Sequence, residues 1–298
     1  MFKAFPPAKI NLFLKVLGKR ENGLHELETL LAFTDLKDDL SIEILKQVQD
    51  DGLTQHSHPE LVSGSKITIT GPFAHLVDPK NNIFNKILDY FVDKFAIDRN
   101  LHIKLVKNIP VGAGLGGGSS NAASFMMGLN EIFQLNLSRE TLQKTSLEFG
   151  SDIAFFFENQ ASIIKGRGDI ISNYPTFEPI LAILVNPKIH LSTAQVFQSL
   201  NQNYSKEIAT EKLLKTNIIN LAKLPNDLEN SAIAIVPEIK NILDEIKNSG
   251  AQITKMSGSG ASCFGIFATE ENLKKAEENL IKKFPNYFVK KVKILANV

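Results

Sequence analysis

Cysteine is nearly absent: Cys263 is the only one in 298 residues. A single thiol excludes an intrachain disulfide framework and suits a reducing compartment, so the expected location is the cytoplasm. An excess of charge of either sign is missing too. Lysine and arginine number 33 against 32 acidic residues, a formal net charge of +1, so no global field draws the molecule to nucleic acid or to an anionic membrane. Nor is there a run of eighteen apolar residues to span a bilayer. The opening "MFKAFPPAKINLFLKVLGKR" alternates and carries prolines where a secretory signal holds an unbroken apolar stretch, and is expected to belong to the mature protein. These absences leave a small molecule as the expected partner. The 43% of hydrophobic residues can fill a large core, in one domain or two.

Glycine, by contrast, is concentrated. In "IPVGAGLGGGSSNAA", residues 109 to 123, five glycines fall in the seven positions 112 to 118 and a helix-forming run follows. Each glycine costs roughly 0.5–1 kcal/mol relative to alanine in regular structure, and a bound anion at a helix start is the expected compensation. Gly112, Gly114 and Gly117 satisfy G-x-G-x-x-G, yet a dinucleotide fold requires a second parallel strand ending in an acidic residue, and two helices follow instead. A Walker loop fails because Gly118 stands where its lysine belongs. The protein-kinase loop fails for want of its HRD and DFG partners. A phosphate cradle of another design remains, with the Ser119 and Ser120 hydroxyls at the helix start as candidate partners for phosphate or magnesium.

The rest of the chain reads as α+β. In "KINLFLKVLG" the period-two alternation puts Ile10, Leu12, Leu14 and Val16 on one face and Lys9, Asn11, Phe13 and Lys15 on the other. "LHELETLLAFTDL", "LSIEIL" and "KITIT" read as further strands of an antiparallel sheet. Residues 46 to 65 lack periodicity and are expected to be a loop insertion between hairpin strands. A helix over "NIFNKILDYFVDKF", a strand at "LHIKLVKNIP", a helix at "SSNAASFMMGLNEIF" and another from Ser138 to Gly150 come next. A strand "ILAILVNP", a helical stretch and a strand, helix, strand finish complete the chain. Two domains are expected, 1–160 and 161–298. His56 and His58 form H-x-H inside the insertion, but nothing nearby completes a metal-ligand set.

"PVGAGLGGGSSNAA" resembles the phosphate-binding motif of the GHMP kinases. "PAKINLFLKVLGKRENGLHELETLLAFTDLKDDL" and "KMSGSGASCFGIF" resemble two further motifs of the branch whose acceptor is a cytidine diphosphate derivative of methylerythritol, on the non-mevalonate route to isoprenoids. The resemblance implies a two-domain GHMP kinase fold, ribosomal-protein-S5-like at the N-terminus and ferredoxin-like at the C-terminus, with ATP and Mg²⁺ in a site between them. It assigns catalysis to Lys9 and Asp152. ATP would be held by Pro110, Val111, Gly112, Ala113, Gly114 and Leu115, then by Gly116, Gly117, Gly118, Ser119 and Ser120, with Asn82 and Lys107 on the adenosine side. Acceptor contacts would come from Asn11, His25 and Phe197, braced by Gly258, Ser259 and Gly260. Leu24 stands where an aromatic residue often precedes the histidine, which leaves Phe197 as the expected stacking wall. A monomer or weak homodimer is expected. Two alternatives stay open: a relative acting on homoserine or mevalonate, and a nucleotide-binding regulator without catalysis.

Overall fold

The computed structural model describes residues 1–21, 23–45, 64–200 and 203–298. Positions 46–63 of the expected insertion, His56 and His58 among them, lie outside the described residues. The chain begins with β1 (Phe2–Ala4), β2 (Pro7–Lys19), β3 (His25–Lys37), β4 (Asp39–Ile44) and β5 (Lys66–Thr70), followed by α1 (Ile83–Phe95) and β6 (Leu101–Val106). The glycine loop leads into α2 (Gly117–Ile132), then α3 (Arg139–Ser146) and a 3₁₀ segment Ser151–Phe157. The hairpin β7 (Ser162–Gly166) and β8 (Ile170–Asn173), strand β9 (Ile180–Asn186) and five helices follow: α4 (Thr193–Gln198), α5 (Thr210–Lys215), α6 (Ile218–Ala222), α7 (Glu229–Ile235) and α8 (Glu238–Asn248). The chain closes with β10 (Ile253–Met256), β11 (Cys263–Ile266), α9 (Glu270–Lys283) and β12 (Phe288–Leu295).

Two sheets organise these elements. The smaller runs β1-β4-β6-β5; the larger runs β10-β11-β9-β12-β3-β7-β8, with β2 paired to β3. Strands from both halves of the chain thus share one sheet, through Ile294 opposite Thr34 and Leu295 opposite Phe33. The small sheet packs on α1 and α2 around Phe84, Phe91, Phe125 and Phe155. Small residues let α2 approach closely: a Cβ at Gly128 would lie 2.4 Å from Ile42 Cδ1. Among the described residues, no helix is long and apolar enough to cross a membrane.

Four expectations change. "KITIT" is parallel to β6, and β4 and β5 each pair with β6 and not with each other, so the two strands are not hairpin partners. The alternation of β2 breaks at a bulge between Asn11 and Phe13. The extra residue turns Phe13 into the core with Ile10 and Leu12 and moves Leu14 and Val16 to a different cluster. Helix α2 starts at Gly117, before the serines, because Gly116 takes the N-cap in the left-handed region at φ 66°. Helix α3 ends at Ser146, capped at its start by the Ser138 hydroxyl, and a turn carries the chain to Gly150.

The turn between β10 and β11 is pinned to β2 by a buried cation. Lys255 Nζ donates to the carbonyl oxygens of Leu12 (3.0 Å), Ala222 (2.5 Å) and Leu224. Burial pushes its pKa down from 10.5 to about 8, against the pull of Glu229. Between about pH 8 and 10.5 the unfolded chain therefore binds more protons at this position, so native stability from this group rises with pH across that window. The Tm difference between the native chain and Lys255→Met, followed from pH 8 towards 10.5, should grow in favour of the native chain; a constant or shrinking difference would reject the assignment.

Candidate active site

A cavity of about 770 Å³ opens where β2, the glycine loop, the 3₁₀ segment and the β10–β11 turn meet. That volume is within the ~300–1,000 Å³ of small-molecule pockets. Lys9 lies at its base, 4% exposed. Its main-chain N–H donates to Leu115 O in the glycine loop at 2.9 Å, its Nζ donates to Asn11 Oδ1 at 2.6 Å, and Asp152 Oδ2 stands 3.9 Å away. Burial lowers the Lys9 pKa and the Asp152 carboxylate opposes the shift. The Asp152 side chain is 54% exposed: the ammonium is sealed while the carboxylate looks into open space. The Asn11 amide is engaged at both ends, since Nδ2 donates to Thr29 Oγ1 at 2.9 Å.

The bare backbone of the loop has three separate causes. Gly112, Gly114 and Gly116 have φ of 62°, 73° and 66°, a region that favours glycine. Close approach accounts for more: a Cβ at Gly114 would lie 2.3 Å from Ser257 O, and one at Gly116 would lie 2.7 Å from Lys9 Cγ. Gly117 is packed against Ile109 and the Lys107 ammonium, each 2.9 Å from its would-be Cβ. Gly118 differs. A Cβ there would meet nothing within 4 Å among the described residues, although Gly118 is on the cavity wall. Its bareness leaves room for a ligand against the first turn of α2, the fit expected of a polyphosphate at a helix N-terminus.

The β10–β11 turn closes the opposite side. Ser257, fully buried, accepts from the main-chain N–H of Asn11 at 3.2 Å and donates to Gly114 O at 3.0 Å, so one hydroxyl ties β2 to the glycine loop. Asn226 Nδ2 donates to Met256 O (2.9 Å) and Gly258 O (2.8 Å), and Glu229 accepts from Met256 N at 2.8 Å. Gly258, at φ 60°, presents its bare Cα to the pair at the base: a Cβ would lie 3.1 Å from Asn11 Oδ1 and 3.3 Å from Lys9 Nζ. Ser259 Oγ shares a 2.8 Å hydrogen bond with Thr193, and Gly260 also lines the cavity.

At one end of the cavity Lys107 is buried against Asp38. Burial lowers its pKa and Asp38 opposes the shift. Asp38 also accepts from Asn108 N (2.6 Å) and Ile109 N (2.8 Å), fixing the entry to the loop. Asn82 lines the same end, but its side chain caps α1 by accepting from Phe84 N and Asn85 N and donates to Asp78 O and Pro79 O. Pro110, Val111 and Ala113 are on the wall; the Leu115 side chain is in the core and serves through its carbonyl. Ser119 faces the cavity, whereas Ser120 is buried off the wall and its hydroxyl has no hydrogen-bond partner among the described residues.

At the other end the structure departs from the expected arrangement. His25 is not on the wall but stacked on Phe197, ring centroids 4.8 Å apart and 26° from parallel. The stack occupies one face of the Phe197 ring and leaves its outer face as the stacking wall. Burial and Lys19 lower the His25 pKa, which favours the neutral ring in the stack. Leu24 is 48% exposed beside it. Arg167 and His190 also line the cavity. The sequence singles out neither these two exposed side chains nor the buried Asp38, Asn226 and Ser257, whose burial no periodicity reveals.

The family model "GHMP kinases N terminal domain" matches residues 82–160, and "GHMP kinases C terminal" matches residues 209–286. A 4-diphosphocytidyl-2-C-methyl-D-erythritol kinase of Syntrophotalea carbinolica is 35% identical over 279 residues, 92% of each chain. The enzyme of that name from Syntrophomonas wolfei is 34% identical over 289 residues, 95% of each. Among solved structures, a 4-(cytidine 5'-diphospho)-2C-methyl-D-erythritol kinase superposes with a TM-score of 0.77 at 25% identity, covering 99% of both chains. The mevalonate kinase of L. major, at 16% identity and a TM-score of 0.72 over 99% of this chain and 96% of that one, shares the fold.

Two glycines separate the causes of bareness experimentally. Gly114→Ala meets backbone at positive φ and should lose about 2–4 kcal/mol of stability. Gly118→Ala should leave the ligand-free Tm unchanged or raise it by the equivalent of up to about 1 kcal/mol, while weakening binding of a fluorescent ATP analogue. A Gly118→Ala chain that binds the analogue normally would contradict the cradle.

Proposed function

The chain belongs to the GHMP kinases, within the family of 4-diphosphocytidyl-2-C-methyl-D-erythritol kinases, and we propose that it transfers the γ-phosphoryl group of ATP to the 2-hydroxyl of that family's cytidine-linked acceptor. The supporting observation is the convergence of Lys9, Asp152 and the glycine cradle in one cavity. The exposed Asp152 carboxylate accepts the hydroxyl proton, the hydroxyl oxygen bonds to the γ-phosphorus, the bond to the β-phosphate breaks, and ADP leaves. A positioned base typically contributes ~10²–10⁴ in rate. Lys9 opposes charge build-up on the transferring group and favours the ionised Asp152 beside it. Asn11 acts through Lys9, whose ammonium it orients.

ATP is held in this reading by the loop N–H groups and the start of α2, with Lys107 and Asn82 flanking. The acceptor occupies the wall formed by Phe197 and Gly258 to Gly260. Residues 1–160 then supply the nucleotide cradle and 161–298 most of the acceptor wall. Among the described residues no cluster of three or more His, Cys, Asp or Glu could hold a metal. Magnesium keeps waters and binds largely through substrate phosphates; carried by the nucleotide it would neutralise phosphate charge, and Ser119 is the wall hydroxyl that would meet it. The protein works in the cytoplasm in this reading, as a monomer or weak homodimer.

ADP release, measured with Mg-ATP and with diphosphocytidyl methylerythritol, homoserine and mevalonate offered separately, tests the proposal. Turnover on the cytidine compound alone, lost in Asp152→Ala, is expected. Turnover on another acceptor, or none on all three, would overturn it. The second stacking face that Leu24 lacks is worth ~1 kcal/mol, so Leu24→Tyr should lower the KM for the cytidine substrate roughly five-fold at unchanged kcat; an unchanged KM would place the base elsewhere.

A further inference from the structure

Asn121, in the first turns of α2, was not singled out from the sequence and has no part in the transfer described above. It is 3% exposed and lines the cavity. Its Oδ1 is shielded from solvent and has no hydrogen-bond partner among the described residues. Leaving such a group unpaired costs ~1–3 kcal/mol, and the buried polar groups of folded proteins nearly always find a partner. Helical side chains lean toward the N-terminus, and one turn back from Asn121 stand Gly117 and Gly118, which have no side chains to meet it. Lys107 packs against the same Gly117. The amide therefore sits where the bare first turn leaves room for a ligand.

Resting on the kinase reading, we propose that Asn121 is a ligand-contacting residue of the nucleotide site, its Oδ1 accepting from the hydrated cation carried by the polyphosphate and its Nδ2 donating to a phosphate oxygen. A polyphosphate alone offers only acceptors at neutral pH, so the partner for Oδ1 is a donor; beside the phosphates that donor is metal-bound water, the ribose hydroxyls and base amino group lying farther along the nucleotide. The ligand supplies in the complex what the folded chain lacks by itself. Removing the amide then has opposite effects on the two states: the ligand-free fold loses an unpaired buried group, and the complex loses a contact.

The test uses Asn121→Leu and Asn121→Ala in the full chain, with the ligand-free Tm and titrations of a fluorescent ATP analogue with and without Mg²⁺. Asn121→Leu is expected to match or exceed the native ligand-free Tm. Both variants should lose about ten-fold or more in affinity with Mg²⁺ present and less than about three-fold without it. A lower ligand-free Tm for Asn121→Leu together with native affinity would make the amide a structural group and overturn the proposal. Equal losses with and without Mg²⁺ would overturn the cation contact. A native chain that binds no nucleotide would overturn this inference and the kinase reading together, whereas native binding with unaffected variants would overturn the inference alone.

Discussion

The burial of one ammonium group is the constraint on which this site is built. Lys9 is 4% exposed, and a charge that deep is tolerated only with partners close by. Asn11 supplies an oxygen at 2.6 Å and Asp152 a carboxylate at 3.9 Å. Space is the second requirement. Gly116 is bare where the lysine stem passes and Gly258 is bare where its head ends, so the second and third motifs are shaped around a side chain from the first. Lys9 in turn holds the loop through the main-chain bond to Leu115.

That interlock explains how segments so distant in sequence keep their spacing. Ser257 joins the Asn11 main chain to Gly114, and Asn226 and Lys255 hold the turn that carries it. The cradle is thus a set of backbones docked on one another, which a phosphoryl-transfer site needs because its catalysis consists largely of positioning and charge compensation. At the other end of the cavity His25 covers one face of Phe197 and leaves that ring a single free face.

Much of this was legible in the sequence, and the rest had physical reasons to be hidden. The glycine loop announced itself because so many residues with conformational freedom and no side chain require an external cause. Lys9 and Asn11 were placed on one side of β2 because the alternation holds up to Asn11. It fails beyond, since a bulge depends on the partner strand and leaves no periodic trace. The parallel pairing of β5 was equally invisible, for a strand's pattern does not name its neighbour. Asp38, Ser257 and Asn226 went unnoticed because their value lies in burial and in main-chain partners far away. Asn82, expected on the adenosine side, lines the cavity, and its side chain is the cap of α1.

The most direct test is a double-mutant cycle on kcat with Lys9→Met, Asp152→Ala and the double variant, each folded as judged by Tm. Residues acting on one transferring group lose their effect together. The double variant should therefore be no slower than the worse single variant, within about three-fold, after single losses of ~10²–10⁴. Losses that multiply, or a single variant that keeps nearly native turnover, would contradict a shared role for the buried ammonium and the open carboxylate.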